Sequence, residues 1–239
     1  MKILVSWSSG KDSAWMLHVL RRDRIGEVGG LLTSINVDAG RVSMHGVRED
    51  VLRAQAAAAG LPLRTVPLPY PCSNEIYEQR METAVATAVG EGYTHVAFGD
   101  LFLEDVRQYR EDRLAKTGLK PIFPLWGLDT SELALEMVRG GLQARVACLD
   151  PRVIPRDLIG SPFDDLFLES LPDGVDPCGE RGEFHTCVTA GPMLARPLSV
   201  ETGRIVERDG FVFGDIALTA RGGLRRGTKP TKLTKITKD

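Results

Sequence analysis

Apolar residues recur along the chain in two alternating patterns. Short runs rich in Ile, Leu and Val at residues 2–7, 29–36, 63–68, 94–98 and 144–149 have the length and composition of buried strands. Between them, apolar positions repeat at helical spacing. Residues 13–22 place Trp15, Met16, Val19 and Leu20 on one face. Residues 48–59 open with Glu49 and Asp50, acids suited to a positive first turn, and stop at Gly60. Residues 74–89, capped at Asn74, residues 103–117, stopped by Gly118, and residues 131–139, capped at Asp129 or Thr130, complete the predicted helices. Residues 121–126 predict a short strand or turn.

Strands separated by helices of roughly 10–15 residues imply βαβ units. The predicted fold class is α/β: a doubly wound, mostly parallel sheet with helices on both faces, assigned to residues 1–150. Pro151, Pro155, Pro162, Pro172 and Pro177 then break the alternation, with one short helix near residues 164–171. Alternating segments at 187–189, 198–201, 204–208 and 211–217 follow. Thr202-Gly203 and Asp209-Gly210 join the last three and are hairpin dipeptides. Residues 151–220 are thus expected to form a smaller C-terminal α+β region at the carboxyl edge of the sheet.

A length of 239 residues allows one large domain, or one domain with an appendage. With 43% hydrophobic and 26% charged residues the composition is ordinary for a globular protein, and no run of about 18 apolar residues exists to span a membrane. The first residues lack the length and cleavage site of a signal peptide, and Cys72, Cys148, Cys178 and Cys187 form no C-x-x-C pair. A disulfide framework and a zinc knuckle are therefore not expected, and the expected compartment is the cytoplasm. Charge is unevenly spread: residues 221–239 carry seven basic residues and one acid, leaving −8 on the rest of a chain whose net charge is −2. This basic segment is expected to be a disordered tail.

The first chemical motif is Ser8-Ser9-Gly10-Lys11-Asp12-Ser13, between the first strand and the first helix. Open α/β sheets bind ligands outside the carboxyl ends of their strands. A tight loop there aims backbone N–H groups at one point beside the positive end of a helix, which makes an anion site for phosphate or pyrophosphate. Gly10 admits close approach, the serines add hydroxyl donors and Lys11 adds charge. Asp12 would repel phosphate unless a cation stands between them, and Mg²⁺ is the cation that chemistry suggests, with Asp12 as its ligand. The loop is not a Walker A motif, because Val5 holds the place of its first Gly and Asp12 follows the Lys.

Three further constellations stand at predicted strand ends. Residues 41–48 include His45 and Arg48, suited to phosphate or acyl substrate. Phe98-Gly99-Asp100 puts a carboxylate at the sheet edge, where it can contact metal or substrate or simply cap a helix. Residues 176–186, Asp-Pro-Cys-Gly-Glu-Arg-Gly-Glu-Phe-His-Thr, gather Glu180, Glu183 and His185, suited to amine recognition and proton transfer. Cys178 and Cys187 can serve as nucleophiles or as small buried hydrophobes.

The 8–13 loop resembles the S-G-G-x-D-S loop of the PP-loop ATP pyrophosphatases, with Ser9 in place of a Gly, a substitution that a negative φ would accommodate. Together with Ser43-Met44-His45-Gly46-Val47-Arg48, Gly99-Asp100, Pro124-Leu125-Trp126 and residues 178–186, close to a G-E-x-G-E-(F/Y)-x-T pattern, it resembles the diphthine–ammonia ligase family over about residues 2–200. The resemblance implies a PP-loop fold, with ATP and Mg²⁺ as cofactors. It also implies adenylation of a carboxylate, followed by attack of ammonium to give an amide, AMP and pyrophosphate. The implied acceptor is diphthine on elongation factor 2 in an archaeal or eukaryotic source, and another carboxylate in a bacterium. The implied ATP contacts are Ser8, Ser9, Gly10, Lys11, Asp12, Ser13, Ser34, Asn36 and His45. Lys11, Asp12, Asp100, Glu180, Glu183 and His185 are the implied catalytic groups. Nucleic acid and membrane are not expected as partners, and a homodimer is left open. A tRNA-thiolating relative and a non-catalytic nucleotide-binding regulator are the two competing readings.

Overall fold

The computed structural model describes residues 1–219, so the basic segment at 221–239 lies outside the described residues. The N-terminal sheet is built from β1 (Lys2–Ser6), β2 (Glu27–Asn36), β3 (Arg41–Val42), β4 (Leu63–Leu68), β5 (His95–Ala97) and β6 (Lys120–Ile122). β1 lies between β2 and β5, β4 adds beyond β2, and β6 adds beyond β5, all in parallel. Only β3 runs antiparallel, against the last residues of β2. The chain therefore leaves β1 in one direction and returns to its other side at β5, which makes the carboxyl end of β1 a topological switch point.

Alternation along β1 explains the layering. Ile3 and Val5 enter one core, with α1 (Lys11–Arg22) and α2 (Glu49–Ala59), while Leu4 enters the other. That second core also takes Val85 of α3 (Asn74–Gly90) and Leu114 of α4 (Glu104–Leu114). A strand buried on both faces needs the uninterrupted apolar run that the sequence supplies. The α/β expectation holds: the six-stranded sheet is mostly parallel, beside a separate antiparallel sheet.

That second sheet has the order β8-β7-β10-β9, from β7 (Gln143–Leu149), β8 (Phe184–Ala190), β9 (Val200–Arg208) and β10 (Phe211–Leu218). Two details differ from the sequence reading. β7 follows α5 (Thr130–Arg139) as a βαβ strand would, yet it pairs antiparallel with β8 and β10. Thr202-Gly203 is not a turn. β9 runs through it, and the register shifts between Gly214 and Ile216 opposite, so the extra residue is absorbed in a bulge. Asp209-Gly210 is the hairpin, with φ of +54° and +81°, the positive pair that a two-residue type I′ turn requires. A short helix, α6 (Asp165–Glu169), is capped by Asp164, whose side chain accepts from the Phe167 amide. No helix among the described residues is long and apolar enough to cross a membrane.

Polar bonds join the two sheets. Asp215 on β10 accepts from Arg41 at 2.8 Å and from Arg48 at 2.7 and 2.5 Å. The Arg48 hydrogen bonds, against partial burial and with help from Arg41, hold the Asp215 carboxyl at about 2. An aspartate depressed in this way stabilises the fold above its unfolded pKa and loses that contribution as pH falls through the folded value. Asp215→Asn should thus cost about 1–2 kcal/mol at neutral pH, allowing for solvent screening. The gap to wild type should close between about pH 4 and pH 2 in denaturant melts. A gap independent of pH would contradict the ion-pair origin.

Candidate functional site

From β1 the chain turns through Ser8, Ser9 and Gly10 into α1. The Ser13 hydroxyl closes the turn, accepting from the Ser8 amide at 3.3 Å and donating to the Gly10 carbonyl at 3.0 Å. Ser9 has φ +71°, in the left-handed region, so the expected negative φ is corrected. Its hydroxyl is buried without a partner. Its carbonyl is held from outside, by the Val188 amide at 2.9 Å and Gln55 Nε2 at 3.2 Å. Ser9→Gly removes an unfavourable Cβ and sacrifices no hydrogen bond, so it should stabilise the protein by about 1 kcal/mol. A denaturation midpoint that stays put or falls would contradict this.

Lys11 points inward. Only 2% of it is exposed, and its ammonium donates to both Asp12 oxygens, at 2.8 and 2.9 Å, and to the Cys178 carbonyl. Its amide donates to Thr186 Oγ1 at 3.0 Å. Burial alone would lower the Lys11 pKa, but Asp12, helped by Asp176, outweighs it and keeps the ammonium charged. One residue therefore fastens the start of α1 to the 176–186 segment at two points.

That segment also meets the end of β5. Glu180 Oε1 accepts from the Leu101 amide at 2.8 Å, and the Glu180 amide donates to Asp176 Oδ2 at 2.8 Å. Burial pushes Glu180 up to about 7, aided by the charges of Asp12 and Asp100 and opposed by the Leu101 amide. Gly99 lies against α1, where a Cβ would stand 3.1 Å from the Asp12 and Ser13 backbone, so only glycine lets this strand end approach so closely. Asp100 is bound by Arg110 at 2.5 and 3.0 Å rather than free at the edge. Glu183 is buried. Its Oε1 accepts from the Asp176 amide at 3.2 Å, and its Oε2 has no partner.

Above the loop, His45 and His185 lie with ring centroids 4.4 Å apart. The His45 ring covers Gly10, within 3.1 Å of where a Cβ there would stand. Burial, then the Lys11 charge, lowers His185 to about 4. Burial, then His185 and Lys11, lowers His45 well below the ordinary histidine value. Both rings are neutral at pH 7. With Ser8, Ser34 and Asn36 they line a cleft of about 1330 Å³. Arg48 is engaged by Asp215, away from the role of phosphate ligand that its sequence position offered.

No protein-family model matches the chain. A Bos taurus protein named diphthine–ammonia ligase is 26% identical over 241 residues, covering 91% of this chain and 89% of that protein. A Rattus norvegicus protein of the same name is 26% identical over 159 residues, covering 64% and 59% respectively. A Homo sapiens protein of that name is 28% identical over 123 residues, covering 48% and 45%. The chain is similar to these diphthine–ammonia ligases.

Cys148, Cys178 and Cys187 are packing groups. Burial pushes the thiols of Cys148 and Cys187 up to about 12, and that of Cys178 up as well, so none is a thiolate at neutral pH. The cleft also has an apolar wall that motif reading missed, formed by Tyr77, Met81, Val85 and Leu114 of α3 and α4. Only Val85 and Ala88 of the 17-residue α3 are buried, so the first half of that helix packs loosely on the sheet.

Proposed function

We propose that the chain is an ATP-dependent amide ligase that joins ammonia to a carboxylate, as the name of its relatives describes for diphthine. The observation that carries this reading is the double attachment of Lys11 to residues 176–186, through its amide and its ammonium. It sets an anion-binding loop and a carboxylate-rich segment side by side. In this reading ATP lies with its phosphates at residues 8–13 and its adenosine near Ser34 and Asn36. The positive end of α1 and the Lys11 charge stabilise the negative charge that develops as the acceptor carboxylate attacks the α-phosphorus and pyrophosphate departs.

Among the described residues no three His, Cys, Asp or Glu side chains cluster as a metal cage. In this reading Mg²⁺ would be held through Asp12 and substrate phosphates and would neutralise phosphate charge. Asp12 already accepts two hydrogen bonds from Lys11.

On the acceptor side, the unpartnered Glu183 Oε2 is an acceptor for an ammonium N–H, and Glu180, with its pKa near neutrality, takes the proton that ammonium must lose. Ammonia then forms the C–N bond, the bond from carbon to the AMP oxygen breaks, and AMP leaves. Arg110 holds Asp100 beside this segment as a fixed charge. The acceptor is diphthine on elongation factor 2 in an archaeal or eukaryotic source, and a different carboxylate otherwise. The test is incorporation of ¹⁵N from labelled ammonium into an acceptor from the source cell, dependent on ATP. A labelled amide supports the reading. A sulfur-containing product would replace it with the thiolating one.

A further inference from the structure

The His45 ring reaches Gly10 from the tip of a loop whose base is buried Val42 and Val47, with the Val42 amide donating to the Val47 carbonyl at 2.8 Å. β3 spans only two residues, Met44 is exposed, and both Met44 and Gly46 have positive φ. A second anchor stands in the other sheet. Asp215 takes one bond from Arg41 at one end of the loop and two from Arg48 at the other. Arg41 also donates to the Gly46 carbonyl at 2.8 Å, drawing the loop closed. The Phe213 ring packs on Gly46, so closely that a Cβ there would stand 2.9 Å from it.

We propose that Asp215 is a positioning residue of the nucleotide site: through Arg41 and Arg48 it fixes the loop that holds His45 over Gly10. This rests on the reading of residues 8–13 as the phosphate site. A single carboxylate binding two guanidiniums offsets the repulsion between them across the loop. It also ties both ends of the loop to β10. β10 pairs with β7, and β7 with β8, which carries His185. The antiparallel sheet thereby sets both imidazoles, His185 directly and His45 through Asp215. Without the carboxylate, the Arg41 and Arg48 guanidiniums repel each other, the loop loses its tie to β10 while its base stays held by Val42 and Val47, and the His45 ring shifts away from Gly10 and His185.

The test is a double-mutant cycle on the full chain, read as the affinity for α,β-methylene-ATP. Asp215→Asn and His45→Ala should each weaken binding by about tenfold, and the double variant no further, because one contribution is lost once. Asp215→Glu should recover much of the loss. Losses that multiply, or an Asp215→Asn variant that binds as wild type does, would overturn the proposal. A second readout needs no nucleotide. In NMR titration the wild-type His45 should titrate well below 6.5, and Asp215→Asn should move it back toward that value. If it does not move, the proposal fails. If it moves but even the wild type binds no nucleotide, positioning of the loop stands and the phosphate-site reading is what fails. Should Asp215→Asn not fold, Arg48→Lys keeps the charge, loses the paired hydrogen bonds and is read in the same two ways.

Discussion

Replacing Glu180 by Gln is expected to cut amide formation by about 10²-fold while leaving ATP affinity within a few-fold. The amide side chain keeps an oxygen for the Leu101 amide, so the turn survives, but it cannot take a proton. The pH dependence identifies the group. Glu180 must be ionised to act as a base, and its environment places its pKa at about 7. Wild-type kcat/KM should therefore rise with pH through about 7, and the variant should lose that limb. Stability should change in the opposite sense. A carboxyl whose folded pKa is raised above its unfolded value binds more protons when folded, so stability falls as pH climbs between the two. Glu180→Gln escapes that penalty and should melt above wild type at pH 8. A variant with full activity, or an unchanged acid limb, would remove Glu180 from the chemistry.

Lys11→Met is expected to damage both fold and turnover. The ammonium is buried among Asp12 and the Cys178 carbonyl, with the Phe163 and Phe184 rings 5.7 and 5.3 Å away. Methionine fills the volume but leaves the Cys178 carbonyl without its donor and the Asp12 charge without its partner. Breaking a buried pair from one side typically costs about 3–5 kcal/mol, and partial exposure of Asp12 brings the expected loss to about 2–4 kcal/mol. Pyrophosphate release should drop by about 10²-fold or more, because one substitution removes the loop's charge and loosens the 176–186 segment. Denaturant melts and a pyrophosphate assay check the two halves separately. Intact stability with lost turnover would confine Lys11 to phosphate binding. Lost stability with normal turnover would confine it to structure.

The βα alternation of the first 122 residues was legible because a strand buried on both faces must be apolar throughout, whereas the switch point at β1 emerged only from the strand order. Pairing was less legible. Nothing in the residues of β7 distinguishes a parallel strand after α5 from the centre of an antiparallel sheet, since both are buried. The Thr202-Gly203 dipeptide gave a turn signal for what is a bulge, because a glycine relieves either geometry. Within the site, residue types pointed to Lys11, Glu180 and His185, but not to their partners. The φ of Ser9 is imposed by Val188 and Gln55, and the engagement of Arg48 by Asp215 spans 167 positions. Such long-range contacts leave no local pattern to read.

The most direct measurement is the position at which ATP is cleaved. Protein incubated with ATP, Mg²⁺, labelled ammonium and acceptor should yield AMP and pyrophosphate in equal amounts, each matched by one amide, when products are separated by anion-exchange chromatography. ADP and orthophosphate, or ATP bound but unchanged under every acceptor tried, would contradict the account.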